Sequence, residues 1–106
     1  MPKRLTVEQQ EAYARDGFVA PIDIFSAGEI AEIRAEIEDA EARWPNALDG
    51  AGRNNGHLAL PVLDRIVHDS RILDAVEDVI GAHILAAGST LFIKEPNSGG
   101  FISWHQ

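Results

Sequence analysis

The chain has 106 residues, 45% of them apolar, no cysteine, and 17 acidic against nine basic side chains. A domain of this length buries roughly two-thirds of the surface its unfolded chain exposes, enough for one modest core and not two. The missing Cys excludes a disulfide framework, a thiolate zinc site and a cysteine nucleophile, so any metal chemistry falls to His and carboxylates.

A net charge of −8, with no Lys/Arg cluster to break it, argues against nucleic acid as a partner. Apolar content near the globular norm excludes a disordered or low-complexity chain. No window approaches ~18 uninterrupted apolar residues, so no membrane span is expected. Pro2-Lys3-Arg4 runs straight into the polar stretch from Thr6 to Glu11, which lacks the apolar core of a secretory signal, and a cytoplasmic location is the expectation.

In chain order, Thr6 and Gln9 have the form of a capping box and Gly17 is placed to end the helix in the left-handed conformation, which predicts a helix from about Val7 to Asp16. Phe18 to Phe25 is β-branched and aromatic but interrupted by Pro21, and reads as a short edge strand or extended segment. Ser26 with Glu29 opens a second helix, whose apolar stripe runs Ile30, Ile33, Ile37, Ala40 and Trp44 until Pro45 stops it. Its acids, Glu29, Glu32, Glu36, Glu38, Asp39 and Glu41, are opposed within the stretch by Arg34 alone and read as a solvated helix face. Trp44 reads as a core anchor. Asn46 to Gly56 carries turn formers and little that could be buried, so an exposed loop is expected, with Asn54-Asn55-Gly56 as a turn.

Pro61 fits the first turn of a short helix to about His68, and Asp69 or Ser70 fits the cap of another through Ile80 to Gly81. From His83 the period changes to two, and His83 to Glu95 is suited to a strand. Pro96 to Gly100 turns the chain, and Phe101 to Gln106 begins another strand. Residues 1–106 thus read as a single α+β domain, helical to 81 and stranded from about 83 to 106. Two strands make no independently stable sheet, and apolar groups on both faces ask for more strands than are supplied.

On the last strand, alternation puts Phe101, Ser103 and His105 on one face, and a residue at 107 would share it about 6–7 Å further on. His-X-carboxylate on a strand is a compact way to deliver an imidazole and a carboxylate to one metal. A second His completes the facial triad of non-haem Fe(II) oxygenases. His57 in the loop, His68 four residues after Asp64, and His83 lack clustered partners and read as structural or solvated.

The stretch Leu91-Phe92-Ile93-Lys94-Glu95-Pro96-Asn97-Ser98-Gly99-Gly100-Phe101-Ile102-Ser103-Trp104-His105-Gln106 closely resembles the segment leading into the iron-binding motif of the phytanoyl-CoA dioxygenase family. The likeness extends upstream in the family's order, through Leu5 to Gln9, Asp16 to Val19, Ser26 to Ile30 and His68 to Gly81. The resemblance implies helices packed on the first strands of a double-stranded β-helix (jelly-roll or cupin-like), its barrel incomplete in this chain. It implies an Fe(II)- and 2-oxoglutarate-dependent dioxygenase that hydroxylates an unactivated C–H of a small-molecule or acyl substrate, with succinate and CO₂ as co-products.

Residue by residue, His105 fits the first histidine of the family's His-X-Asp motif, as an iron ligand, with Gln106 in the middle. Lys94 fits a lysine that helps hold the 2-oxoglutarate carboxylate. This works if Thr90, Phe92, Lys94 and His105 line the barrel interior, where the ammonium pairs with an anion; an ordinary solvated lysine is the other reading. The remaining ligands and the 2-oxoglutarate arginine have no counterpart in residues 1–106, and without position 107 hydroxylase and halogenase are not separable. No catalytic set is complete. The chain is therefore expected to be an N-terminal fragment, inactive as given and without tight binding of iron or 2-oxoglutarate. The alternative is a noncatalytic α+β interaction module that forms homo-oligomers through an exposed strand edge.

Overall fold

A computed structural model describes residues 1–105. Four helices carry the fold: α1 (Val7–Asp16), α2 (Ala27–Arg43), α3 (Pro61–Val67) and α4 (Ser70–Ile80), with 3₁₀ turns at Gly50–Arg53 and Gly56–Leu58 between α2 and α3. The helix ends follow from local chemistry. Thr6 caps α1 in a complete capping box with Gln9, and Gly17 closes it at φ 81°, where an L side chain would be strained. Ser26 and Glu29 repeat the box on α2. Pro61 starts α3, and the Asp69 side chain accepts from the Arg71 N–H at the start of α4. Among the described residues, no helix is long and apolar enough to cross a membrane.

The core lies where α2, the 3₁₀ turns and α3 meet. Ala40, Leu48, Leu60, Val62 and Leu63 are buried there, with Ile33, Ile37, Ile66 and Leu91 packed against them. Only the middle of the predicted α2 stripe is used. Ile30 and Trp44 at its two ends are 49% and 55% exposed, so Trp44 caps α2 rather than anchoring the core. The 46–56 segment differs from its expected open loop, because Leu48 is 5% exposed and buried Gly56 packs so closely that a Cβ there would sit 2.7 Å from Leu63 Cδ1.

Two polar clamps hold the helices. Arg71 makes a two-pronged pair with Asp69 (3.0 and 2.8 Å), reaches Glu29 of α2 at 2.8 Å and stacks 4.9 Å from the centre of the Phe25 ring. At the other end, the Asp78 carboxylate accepts the backbone N–H groups of Lys3, Arg4 and Leu5 at 2.7–2.8 Å, fixing the N-terminal segment and buried Leu5 beside α4.

The expected strands are not there, and this overturns the reading of helices packed on the first strands of a jelly-roll. Among the described residues the only β pairing is an isolated antiparallel bridge between Asn54 and Thr90. The rest of 83–105 is an arm without regular secondary structure, broken by a turn at Pro96 and Asn97, with Leu85, Phe92, Phe101 and Trp104 at least 73% exposed. Alternation specifies which residues would share a face of a sheet; it supplies no second strand to receive the backbone hydrogen bonds. Phe18 to Phe25 likewise lies outside any ladder.

Candidate functional site

The arm is pinned where it passes the 3₁₀ turns. Asn55 adopts the left-handed conformation (φ 55°), which an Asn-Gly pair tolerates well, and its N–H donates to the Ser89 carbonyl at 2.7 Å. Leu91 N–H returns to the Arg53 carbonyl at 2.9 Å. Side chains add a second layer: Ser89 N–H donates to Asn55 Oδ1 at 3.2 Å, Thr90 Oγ1 to Asn54 Oδ1 at 3.2 Å, and His57 Nδ1 lies 2.6 Å from Ser89 Oγ. Leu91 reaches the core through this clip.

Beside the clip runs an open groove of about 370 Å³, bordered by Arg53, Asn54, Thr90, Phe92, Lys94, Ser98, Phe101 and their neighbours. Three of the four predicted inward-facing residues, Thr90, Phe92 and Lys94, border it; so do Leu91 and Ile93, so the segment does not sort into two faces as a sheet strand would. His105 is not among the lining residues. Arg53 is positioned by donating from Nε to the Leu48 carbonyl at 3.1 Å and from Nη1 to the Ile93 carbonyl at 3.4 Å. It was missed in the sequence, where a lone arginine in a Gly/Asn-rich run signals nothing beyond a turn.

His105 is exposed and its Nδ1 is 2.9 Å from the Ser103 carbonyl. A carbonyl oxygen can only accept, so this contact calls for the proton on Nδ1, and in the neutral ring Nε2 is then the nitrogen with the lone pair, the tautomer that ligates a metal through Nε2. No group of three His, Asp or Glu converges among the described residues. One exposed imidazole is not an iron site, and residues 1–105 do not fit iron by themselves. Gln106 lies outside the described residues. The other histidines are engaged locally or solvated. His68 Nδ1 lies 2.9 Å from the Asp64 carbonyl and 3.3 Å from its carboxylate, as its spacing predicts, and His83 is exposed.

The shifted carboxylates belong to the helix clamps. Hydrogen bonds from the Arg71 guanidinium hold the Asp69 carboxyl down at about 2, against partial desolvation that opposes them. Glu29 is also lowered, first by the Ser26 N–H and then by Arg71. Desolvation pushes Asp78 up, but the three backbone donors of Lys3, Leu5 and Arg4 outweigh it and its carboxyl ends below the ordinary value.

The Phytanoyl-CoA dioxygenase (PhyH) family profile matches residues 13–106. The chain is 30% identical, over 95% of its length, to ectoine dioxygenase of Bordetella parapertussis, and 28% identical over 95% to ectoine dioxygenase of Sphingopyxis alaskensis. It is 27% identical, over 93% of its length, to a probable alpha-ketoglutarate-dependent hypophosphite dioxygenase of Stutzerimonas stutzeri. These alignments span 36%, 37% and 40% of those relatives, so the chain covers little more than a third of their length. No solved structure matches it significantly. The profile match covers most of the chain and takes in the resembling segments from Asp16 onward, though not Leu5 to Gln9, and the chain belongs to the phytanoyl-CoA dioxygenase family.

Proposed function

We propose that the protein containing this chain is an Fe(II)- and 2-oxoglutarate-dependent dioxygenase acting on a small molecule or acyl substrate, and that residues 1–106 form its N-terminal part. His105 supplies one imidazole to the iron, and Lys94 supplies positive charge to a carboxylate of 2-oxoglutarate. The observation that carries this reading is the family match over residues 13–106, a range that includes Lys94 and His105, together with similarity to dioxygenases of which the chain spans about 36%. The exposure of His105 and its Nδ1 contact with the Ser103 carbonyl, which leaves Nε2 as the acceptor of the neutral ring, support the ligand role. The Lys94 ammonium has no carboxylate within 4.0 Å among the described residues and borders the groove, which supports the anion-holding role.

Iron, when bound, supplies the oxidative chemistry that couples decarboxylation of 2-oxoglutarate to oxidation of substrate. This chain's own contribution is a ligand atom, a counter-charge and a fixed point, the clip, from which the arm is displayed. The 106 residues alone hold one ligand and are inactive.

Succinate release from 2-oxoglutarate tests the proposal, using the natural gene product with Fe(II) and a substrate panel that includes ectoine and hypophosphite. Substrate-stimulated succinate is expected from that protein, and none above free iron from the 106-residue chain. Absence of 2-oxoglutarate turnover across the panel overturns the dioxygenase reading.

A further inference from the structure

The turn Asn54-Asn55-Gly56 has no part in the proposed function, yet its middle residue is the pivot of the clip. Asn55 N–H donates to the Ser89 carbonyl at 2.7 Å, and Asn55 Oδ1 accepts from the Ser89 N–H at 3.2 Å.

An asparagine is a latent electrophile: the nitrogen of the following residue can attack its side-chain amide carbon and close a cyclic imide. Two things limit that step, the bulk of the following residue and how firmly its N–H is held. Of the four asparagines, Asn46, Asn54, Asn55 and Asn97, Asn55 alone precedes a glycine. The N–H that follows each of the other three donates to a main-chain carbonyl: Ala47 to Trp44 at 2.8 Å, Asn55 to Ser89 at 2.7 Å and Ser98 to Glu95 at 3.3 Å. The Gly56 N–H has no acceptor among the described residues.

The clip itself holds the step back. Asn55 Oδ1 is engaged by Ser89 and crowded by the arm, since a Cβ on Gly88 would lie 3.1 Å from it. Gly56 is buried, where an amide anion would be costly. Ring closure therefore requires the clip to open locally.

We propose that Asn55 is a self-modification site whose rate is set by opening of the clip and whose isoaspartyl product leaves the clip open. Solvent base removes the Gly56 amide proton, and the nitrogen attacks Asn55 Cγ. The Cγ–Nδ2 bond breaks, and ammonia leaves with a proton taken from water. Water then adds to one of the two imide carbonyls, and cleavage of that C–N bond gives aspartate or isoaspartate. One water enters, one ammonia leaves, nothing is oxidised or reduced, and the chain gains one negative charge.

The two products differ in what they do to the clip. Aspartate keeps Oδ1 as an acceptor for the Ser89 N–H. Isoaspartate routes the main chain through the former side chain and adds a carbon before Gly56. Gly56 cannot follow, because Leu63 packs so closely that even a Cβ would sit 2.7 Å from its Cδ1. The displacement falls on the Asn55 side and unpins Ser89. None of this depends on the dioxygenase reading.

The test ages the natural gene product in mildly alkaline buffer, folded and in guanidinium chloride, and follows the tryptic peptide from Asn54 to Arg65 by mass spectrometry. Conversion is expected at Asn55, slower at Asn46, Asn54 and Asn97, and faster at Asn55 in denaturant than in the folded protein. Gly88→Ala should speed conversion about fivefold in the folded protein, the effect of one weakened hydrogen bond, and leave the rate in denaturant unchanged. His57→Ala, which removes the 2.6 Å contact with Ser89 Oγ, should act in the same direction. In amide exchange, the separated isoaspartyl form should lose protection at Ser89 and Leu91, whereas Asn55→Asp keeps it. An Asn55 that stays intact, or converts no faster than Asn97, overturns the site. Equal rates folded and denatured, or no response to either clip variant, overturn the gating. Protection retained in the isoaspartyl form overturns the release of the arm.

Discussion

Arg71 and Asp69 show how single residues set the frame behind the site. Asp69 caps α4, pairs with the Arg71 guanidinium, and through Arg71 ties α4 to Glu29 of α2. Its carboxyl is depressed from 3.8 to about 2. A group with a lowered folded value stabilises the fold above its unfolded value and loses that contribution as pH falls through the folded one. Thermal stability should therefore drop between about pH 4 and pH 2. Asp69→Asn keeps a competent cap but removes the charge, so it should flatten that part of the melting temperature profile while lowering the plateau near neutrality. An unchanged acid slope in the variant would contradict this role.

Two glycines separate conformational strain from packing. At Gly17 (φ 81°) nothing lies within 4 Å of an added Cβ, so Gly17→Ala should cost only the left-handed penalty, roughly 1–2 kcal/mol. Gly56→Ala drives a methyl group against Leu63 and should cost about 1–3 kcal/mol through overpacking. Denaturant melts of the two variants, with a Leu63→Ala background relieving only the second, distinguish the causes.

The helices were the legible elements. Both capping boxes, Gly17, Pro61 and Asp69 act within a few residues of themselves, so sequence alone placed α1 to α4. The strands were not legible, because a period of two describes a face and says nothing of a partner. The burial of Leu48 depends on packing with Ala40 of α2 and with Leu60, Val62 and Leu63, and the pinning of Ser89 on bonds to residues more than thirty positions away, which no local pattern encodes. Lys94 was singled out by resemblance alone, and Arg53, which borders the same groove, by nothing in the sequence.

Hydrogen exchange reads this division directly. Amides of α2 and α3 should be protected, and those of 83–105 should exchange near the rate of a free chain except at the clip, where the N–H groups of Ser89 and Leu91 are bonded to Asn55 and Arg53. Protection at every second residue from 84 to 93 would reveal a ladder and contradict an arm without regular secondary structure.

At the scale of the molecule, surface and size agree. The accessible surface is 8245 Å², against about 5,800 Å² for a compact monomer of this mass. The radius of gyration is 16.1 Å, against roughly 13 Å for a compact domain of this length. The excess comes with the exposed aromatics of the arm, and the core that remains is small. Leu48→Ala, about 2–5 kcal/mol in a typical core, should consequently remove most of the cooperative melting transition by circular dichroism, whereas Trp104→Ala on the solvent-exposed arm should leave it within about 0.5 kcal/mol of the parent.

The central claim is that this chain brings His105 to the iron of a 2-oxoglutarate-dependent dioxygenase. It is tested most directly by the rate of succinate formation from 2-oxoglutarate in the natural gene product and in its His105→Ala variant, with His68→Ala as the control for a histidine held locally by Asp64. The account predicts that His105→Ala falls to the rate of free Fe(II) while His68→Ala retains the parental rate. Parental turnover in a folded His105→Ala protein would contradict it.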